Sequence, residues 1–203
     1  MKYLERISFR RPRLLNILHS FGIVNATSQT NEIELQMIEK YAAGKKLALE
    51  IGSYQGVSAA RIAKAMAADR VLYCVDPWEA VNGNINPCYA IFQRHVRRAG
   101  LNGRIRVLQT RSTQADELLP DELDFVFIDG DHSWTGVEAD WGLVGQKLRV
   151  GGVVCLHDSF VPRDEPWRFL DSVRFYNEII RNDHQFETID SVHSLAVVRR
   201  LAV

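Results

Sequence analysis

Leu47-Ala48-Leu49-Glu50-Ile51-Gly52-Ser53-Tyr54-Gln55-Gly56-Val57-Ser58 is the stretch on which the reading of this chain turns. Its first five residues are a short apolar run closed by a glycine, the mark of a buried strand. Ser58 to Ala68, just beyond, is rich in alanine with Ile62 and Met66 on one face, which predicts a helix. The same alternation continues downstream. Val71–Val75, Arg104–Leu108, Leu123–Ile128 and Val153–Leu156 read as further buried strands, with helices over Ala90–Ala99, Thr135–Leu148 and Phe169–Arg181. Upstream, polar Thr27 to Glu32 leads into Ile33, Met37 and Tyr41, spaced for a helix over about 30–43 that stops at Gly44. Residues 1–24, basic and apolar with Pro12 between, predict two short helical pieces.

Continuous apolar strands alternating with helices imply a mostly parallel sheet covered on both faces. Phe186–Ile189 and Leu195–Arg199 are separated by too few residues for a helical crossover, so they should pair as a hairpin and put an antiparallel strand in the sheet. The expected fold class is therefore α/β in three layers, with a helical extension over 1–29 preceding a domain over 30–203.

The chain has 203 residues, with 46% hydrophobic residues and 25 basic against 25 acidic side chains. That is one domain's worth of chain, able to bury roughly 70% of its unfolded surface without a disulfide or structural metal. Cys74, Cys88 and Cys155 are odd in number and lack CxxC spacing, against a disulfide scaffold and for a reducing, cytoplasmic setting. No apolar run approaches the roughly 18 residues of a membrane span. A net charge of zero gives no reason to expect nucleic acid as a partner.

Open α/β sheets bind ligands beyond the carboxyl ends of their strands. After the first strand, Gly52 and Gly56 are spaced G-x-x-x-G, without a dinucleotide fingerprint or a phosphate loop. That loop suits a ligand without phosphates and disfavours a nicotinamide oxidoreductase. Asp76 ends the second strand, where a carboxylate is placed to accept both hydroxyl hydrogens of a ribose. Pro77 and Trp78 offer apolar surface for a purine, and Thr110-Arg111-Ser112 after the third strand supplies polar atoms for an adenine edge.

Glu50, Gly52, Gly56 and Asp76 at these strand ends resemble the pattern of Rossmann-like S-adenosylmethionine-dependent methyltransferases, over roughly residues 30–200. Phe127-Ile128-Asp129-Gly130-Asp131-His132-Ser133-Trp134, Val150-Gly151-Gly152 and His157-Asp158-Ser159 narrow the likeness. They are similar to small O-methyltransferases of sugar and macrolide tailoring and to cephalosporin hydroxylase-like proteins, and more distantly to catechol O-methyltransferase. The resemblance implies a seven-stranded sheet with the last strand antiparallel. It also implies S-adenosylmethionine as cofactor, with its methionyl end at Glu50, Gly52, Ser53, Gly56 and Ser58 and its ribose at Asp76.

A methyl sulfonium is already activated, so the enzyme must align it and remove the acceptor's proton. A hydroxyl acceptor needs a base or a metal for that step. Asp129 closes the fourth strand, and His157 and Asp158 close the fifth. On the catechol O-methyltransferase pattern these three occupy the positions of a divalent-metal site for Mg²⁺ or a similar ion, and His132 occupies the position of the general base. His157 departs from the carboxylate of metal-dependent relatives, which favours manganese, iron or zinc over magnesium, or no metal at all. The expected acceptor is a small molecule, a sugar or natural product, covered by residues 79–89 and 160–168. Two alternatives stand beside this: a metal-independent enzyme with a nitrogen acceptor, and a non-catalytic module that binds an adenosyl ligand. The helical extension either closes over the cofactor or builds a homodimer interface.

Overall fold

The computed structural model describes residues 12–80 and 83–202. The element order is α1 (Pro12–Ser20), α2 (Glu32–Ala42), β1 (Leu47–Ile51), α3 (Val57–Ala65), β2 (Val71–Val75), α4 (Pro87–Arg98) and β3 (Ile105–Leu108). It continues with β4 (Leu123–Ile128), α5 (Trp134–Lys147), β5 (Leu148–Leu156), α6 (Asp171–Glu178), β6 (Phe186–Val192) and β7 (Leu195–Arg200). The seven strands form one sheet in the order β3-β2-β1-β4-β5-β7-β6. β1 pairs in parallel with both β2 and β4, while β7 runs antiparallel between β5 and β6. The expected architecture is present, including the terminal hairpin.

Alternation along each strand divides the core into two layers. Ala48, Phe125, Phe127, Cys155 and Val197 face α2, α3 and α4, where Ile38, Ala59, Ile62 and Phe92 meet them. Leu49, Ile51, Val126, Ile128 and Val154 face the other way, against Val137, Trp141 and Val144 of α5 and Phe175 and Tyr176 of α6. Strands buried on both faces explain the uninterrupted apolar runs.

The differences from expectation lie at element boundaries. β5 begins at Leu148 rather than Val153, because Leu148 already pairs with Leu123 before a shift in register restores pairing at Phe125 and Val153. Gly151, at φ +76°, carries the chain through that irregularity. α4 starts at Pro87, earlier than Ala90: the Asn86 side chain accepts the Cys88 N–H, and proline suits the first helical position. α6 is shorter than the expected Phe169–Arg181 and is followed by a 3₁₀ turn over Ile180–Asn182. Of the two helical pieces expected before residue 24, one is α1, which Pro12 opens; the other lies outside the described residues.

Candidate active site

Strand order reverses at β1, whose neighbours β2 and β4 feed helices on opposite faces of the sheet. A crevice opens at such a point in open α/β sheets. Here it is a cavity of about 650 Å³. Its walls come from the loop after β1 (Gly52 to Ser58), Asp76 and Pro77 after β2, Arg111 and Ser112 after β3, and Asp129 and His132 after β4.

Two glycines make this closeness feasible. Gly52 has φ +87°, and a Cβ there would lie 2.0 Å from the carbonyl oxygen of Asp129. Gly56, at φ +82° as the N-cap of α3, sits where a Cβ would lie 2.7 Å from the Phe92 ring. Only glycine adopts such a backbone freely. Tyr54 and Trp78 are also left-handed, at φ 45° and 35°. Such strained residues gather at functional sites.

Asp76 binds the two loops together: one carboxylate oxygen accepts the Tyr54 N–H at 2.9 Å and the other the Trp78 N–H at 2.8 Å. Burial raises its pKa against the opposing pull of those two donors. Glu50 lies beneath the cavity rather than in its wall. It is fully buried, one oxygen meets the Cys74 thiol at 3.6 Å, and the other has no hydrogen-bond partner. Burial pushes its carboxyl up to about 7.

Trp78 departs from its expected place. Its turn carries the indole inward, 3% exposed, against Tyr89 and Phe92, with Nε1 donating to the Tyr54 carbonyl at 2.8 Å. It therefore supports the β1 loop from behind, and Pro77 alone of that pair lines the cavity. Arg111 also pairs with Glu79 across the rim.

Histidines and carboxylates collect at the ends of β4 and β5. His132 Nε2 lies 3.1 Å from Asp158 Oδ2 and 3.5 Å from Asp129 Oδ1. His157 Nδ1 lies 3.1 Å from Asp129 Oδ1 and 3.6 Å from Asp158 Oδ2. The other ring nitrogen of His157 is 3.3 Å from Glu34 Oε2. Asp129 and Asp158 raise the His132 pKa to about 9, so the ring is an imidazolium at neutral pH in the protein alone. Burial opposes charge on His157, yet Asp129, Asp158 and Glu34 hold its pKa well above the usual value. The carboxyl groups of Asp129 and Asp158 are correspondingly held well below the usual range, against the effect of burial.

The expected metal set was Asp129, His157 and Asp158. The structure instead brings ligand atoms of Asp129, His132 and His157 within 4.8 Å of one another. Asp158 stays beside both rings, and its Oδ2 also accepts from the Arg168 guanidinium at 2.7 Å. His132 Nε2 and His157 Nδ1 are buried and within ion-pair distance of carboxylates, yet neither makes a hydrogen bond. Two buried ring nitrogens converging in this way fit a divalent ion, which would carry the same charge as the two ring protons it displaced.

Several residues of the site were not anticipated. Thr27, Ser28 and Gln29 line the cavity, so the extension up to residue 29 contributes a wall. Thr27 is held there by its N–H and hydroxyl on Gln55 Oε1, at 2.9 and 3.2 Å. Thr30 reaches Asp129 Oδ2 at 3.4 Å. Asp140, 3% exposed, packs against Gly130 and faces the cavity near Ser112, and burial raises its carboxyl to about 6. His193 bridges Glu34 and Asp164 at 3.1 and 3.2 Å. Asn31-x-x-Glu34, a visible capping box, was the one local sign of Glu34.

A seven-stranded sheet in this order, with a glycine loop after β1 and an acid after β2 facing one cavity, defines the class I Rossmann-like methyltransferase fold. A family model described as a methyltransferase domain matches residues 49–159, and the chain belongs to that family. Among solved structures, a Corynebacterium glutamicum protein is 21% identical over 100% of this chain and 97% of its own, with a TM-score of 0.69. The O-methyltransferase TomG from Streptomyces achromogenes, involved in tomaymycin synthesis and solved with S-adenosylmethionine, is 15% identical. It covers 91% of this chain and 86% of its own, with a TM-score of 0.66. An O-methyltransferase from Bacillus cereus in complex with S-adenosylhomocysteine is 19% identical, covering 95% of this chain and 90% of its own, with a TM-score of 0.60. No protein with a curated description matches this chain.

Proposed function

We propose that this methyltransferase transfers the methyl group of S-adenosylmethionine to a hydroxyl of a small molecule, a sugar or related natural product. The observation that carries the reading is one cavity shared by the Gly52–Gly56 loop, Asp76 and the Asp129–His132 pair. The methionyl end would lie along Gly52, Ser53, Gly56 and Ser58 above Glu50, and the ribose hydroxyls against Asp76. The purine would lie between Pro77 and the Arg111–Ser112 turn. The sulfonium then faces Asp129, where the acceptor enters. The helical extension ends at residue 29 in this reading, and its last residues, Thr27 to Gln29, line the cavity. The absence of disulfides among three free cysteines supports a cytoplasmic setting. Among the described residues no helix is long and apolar enough to cross a membrane.

The reaction is an in-line displacement: an acceptor oxygen lone pair forms the new O–CH₃ bond while the C–S electron pair returns to sulfur. The chain's work is alignment by the cavity walls and removal of the hydroxyl proton. Asp129 and His132 are the groups at the acceptor's position, and the hydroxyl proton goes to the neutral form of His132, which becomes populated as pH rises towards about 9. A divalent ion held by Asp129, His132 and His157 would lower the pKa of the hydroxyl. Arg168 fixes Asp158, which in turn orients His132.

Calorimetric titration of S-adenosylmethionine, with NAD as control, tests the cofactor assignment directly. Micromolar binding of the sulfonium ligand alone is expected. Labelled methyl transfer to a panel of glycosides and phenols then tests the acceptor class. Failure to bind S-adenosylmethionine sinks the reading, and transfer only to amines would replace oxygen by nitrogen.

A further inference from the structure

We infer that the cluster at the ends of β4 and β5 is a nitrogen-donor site for a first-row transition ion, with His132 and His157 as ligands beside Asp129 and Glu34 as the outer carboxylate. This rests on the proposed reaction only for its purpose.

Four observations converge. Ligand atoms of Asp129, His132 and His157 lie within 4.8 Å of one another. His157 is 5% exposed, and its Nδ1 makes no hydrogen bond although it faces Asp129. His132 Nε2 is likewise buried and without a hydrogen bond. The far nitrogen of His157 lies 3.3 Å from Glu34 Oε2. A metal-ligating histidine almost always gives its second N–H to a carboxylate, a backbone carbonyl or water, which fixes the tautomer and the ring plane, and here Glu34 is that partner.

Glu34 is built for that duty. It is 1% exposed. Oε1 accepts the Ser194 N–H at 3.0 Å, the Ser194 hydroxyl at 2.6 Å and His193 Nδ1 at 3.1 Å. Oε2 accepts the Asn31 N–H at 3.0 Å, leaving its other side to His157. So many donors immobilise the carboxylate, and with it the ring that presents Nδ1 to the site.

Donor chemistry sets the choice of ion. Magnesium asks for hard oxygen ligands and an octahedral shell with several waters. Two imidazoles and one carboxylate suit zinc, cobalt, manganese or iron instead. With the ion bound, His132 is a ligand before it is anything else, and substituting it removes the ion along with the handling of the proton.

Metal-stripped protein titrated with Co²⁺ provides the test, because the visible ligand-field bands report nitrogen ligation without any turnover. The expected result is one Co²⁺ per chain with bands displaced by Zn²⁺ and untouched by millimolar Mg²⁺. His132→Ala should weaken Co²⁺ binding and alter the bands. Glu34→Gln should cost roughly 10- to 100-fold in affinity while keeping them, as loss of an outer-shell partner does. Thermal melts and S-adenosylmethionine binding confirm that each variant is folded. Mg²⁺ displacing Co²⁺ at similar concentration, or Co²⁺ spectra unchanged in folded His132→Ala, would overturn the inference. So would folded wild-type protein that binds S-adenosylmethionine and methylates but takes up no ion, a result that leaves the methyltransferase reading standing.

Discussion

Gly52→Ala is the substitution whose consequences follow most directly from the geometry. The new Cβ would lie 2.0 Å from the Asp129 carbonyl oxygen and 2.5 Å from its carbon. Neither strand end can simply step aside. The Asp129 N–H donates to the Ile51 carbonyl at 2.9 Å, and the Gly52 N–H donates to Val75 at 2.9 Å. A left-handed conformation costs an alanine about 1–2 kcal/mol, and forcing extra volume into a packed contact adds about 1–3 kcal/mol. The expected loss is therefore about 2–5 kcal/mol, or roughly 4–20 °C in Tm for a chain of this length. Because relief requires β1 and β4 to part at the cavity, affinity for S-adenosylmethionine should fall as well. Calorimetric melting and ligand titration measure the two effects, with Gly103→Ala as control: a Cβ there meets nothing within 4 Å. A Gly52→Ala protein within about 0.5 kcal/mol of the parent, a typical surface-substitution effect, would refute the close approach.

Three further outcomes are expected. His132→Ala should lower turnover about 10²- to 10⁴-fold while S-adenosylmethionine affinity stays within a few-fold; equal losses in both would place His132 in cofactor binding instead. The Glu50 carboxyl is raised by burial from 4.5 to about 7, so the folded state binds its proton more tightly than the unfolded chain does. That contribution is complete below pH 4.5 and is lost as pH climbs through about 7, at most roughly 3 kcal/mol. Urea denaturation from pH 5 to 8 should show this decline in the parent and a flatter profile in Glu50→Gln; matching slopes would contradict it. Gly142→Ala, in mid-α5 with nothing near its Cβ position, should stabilise by about 0.5–1 kcal/mol, and a lower melting temperature would show that the position is not open.

Legibility in the sequence followed the range of the interaction. β1, β2 and β4 were readable because each is an apolar run ended by local chemistry, a glycine or an aspartate. Asp76, Asp129 and the glycine loop were readable for the same reason, since topology alone carries strand ends to one edge. Trp78 was misplaced because sequence gives the order of side chains and not their direction. A left-handed turn at φ 35° sends the indole into the core. The early start of β5 depends on pairing with Leu123 across the sheet, which no local pattern around Gly151 and Gly152 announces.

The histidine–carboxylate cluster shows the limit most clearly, and also why it is built as it is. His157 meets Glu34 from 123 residues away, and Ser194 meets it from 160. Both Glu34 and Ser194 lie outside residues 49–159, the segment matched by the family model. The family segment thus supplies Asp129, His132 and His157, while the α2 N-terminus and the β6–β7 turn supply the carboxylate that orients His157 and the serine that anchors it. The same α2 start follows Thr30, which touches Asp129, and Thr27, which holds the β1 loop through Gln55. One short stretch, Thr27 to Glu34, therefore reaches both the cavity wall and the histidine–carboxylate cluster. Its backbone is pinned at the Asn31 capping box, so a shift at either end is felt at the other. Cutting the Glu34 contact should consequently disturb ion binding first and cofactor binding less, because the cofactor wall keeps its own tether at Thr27.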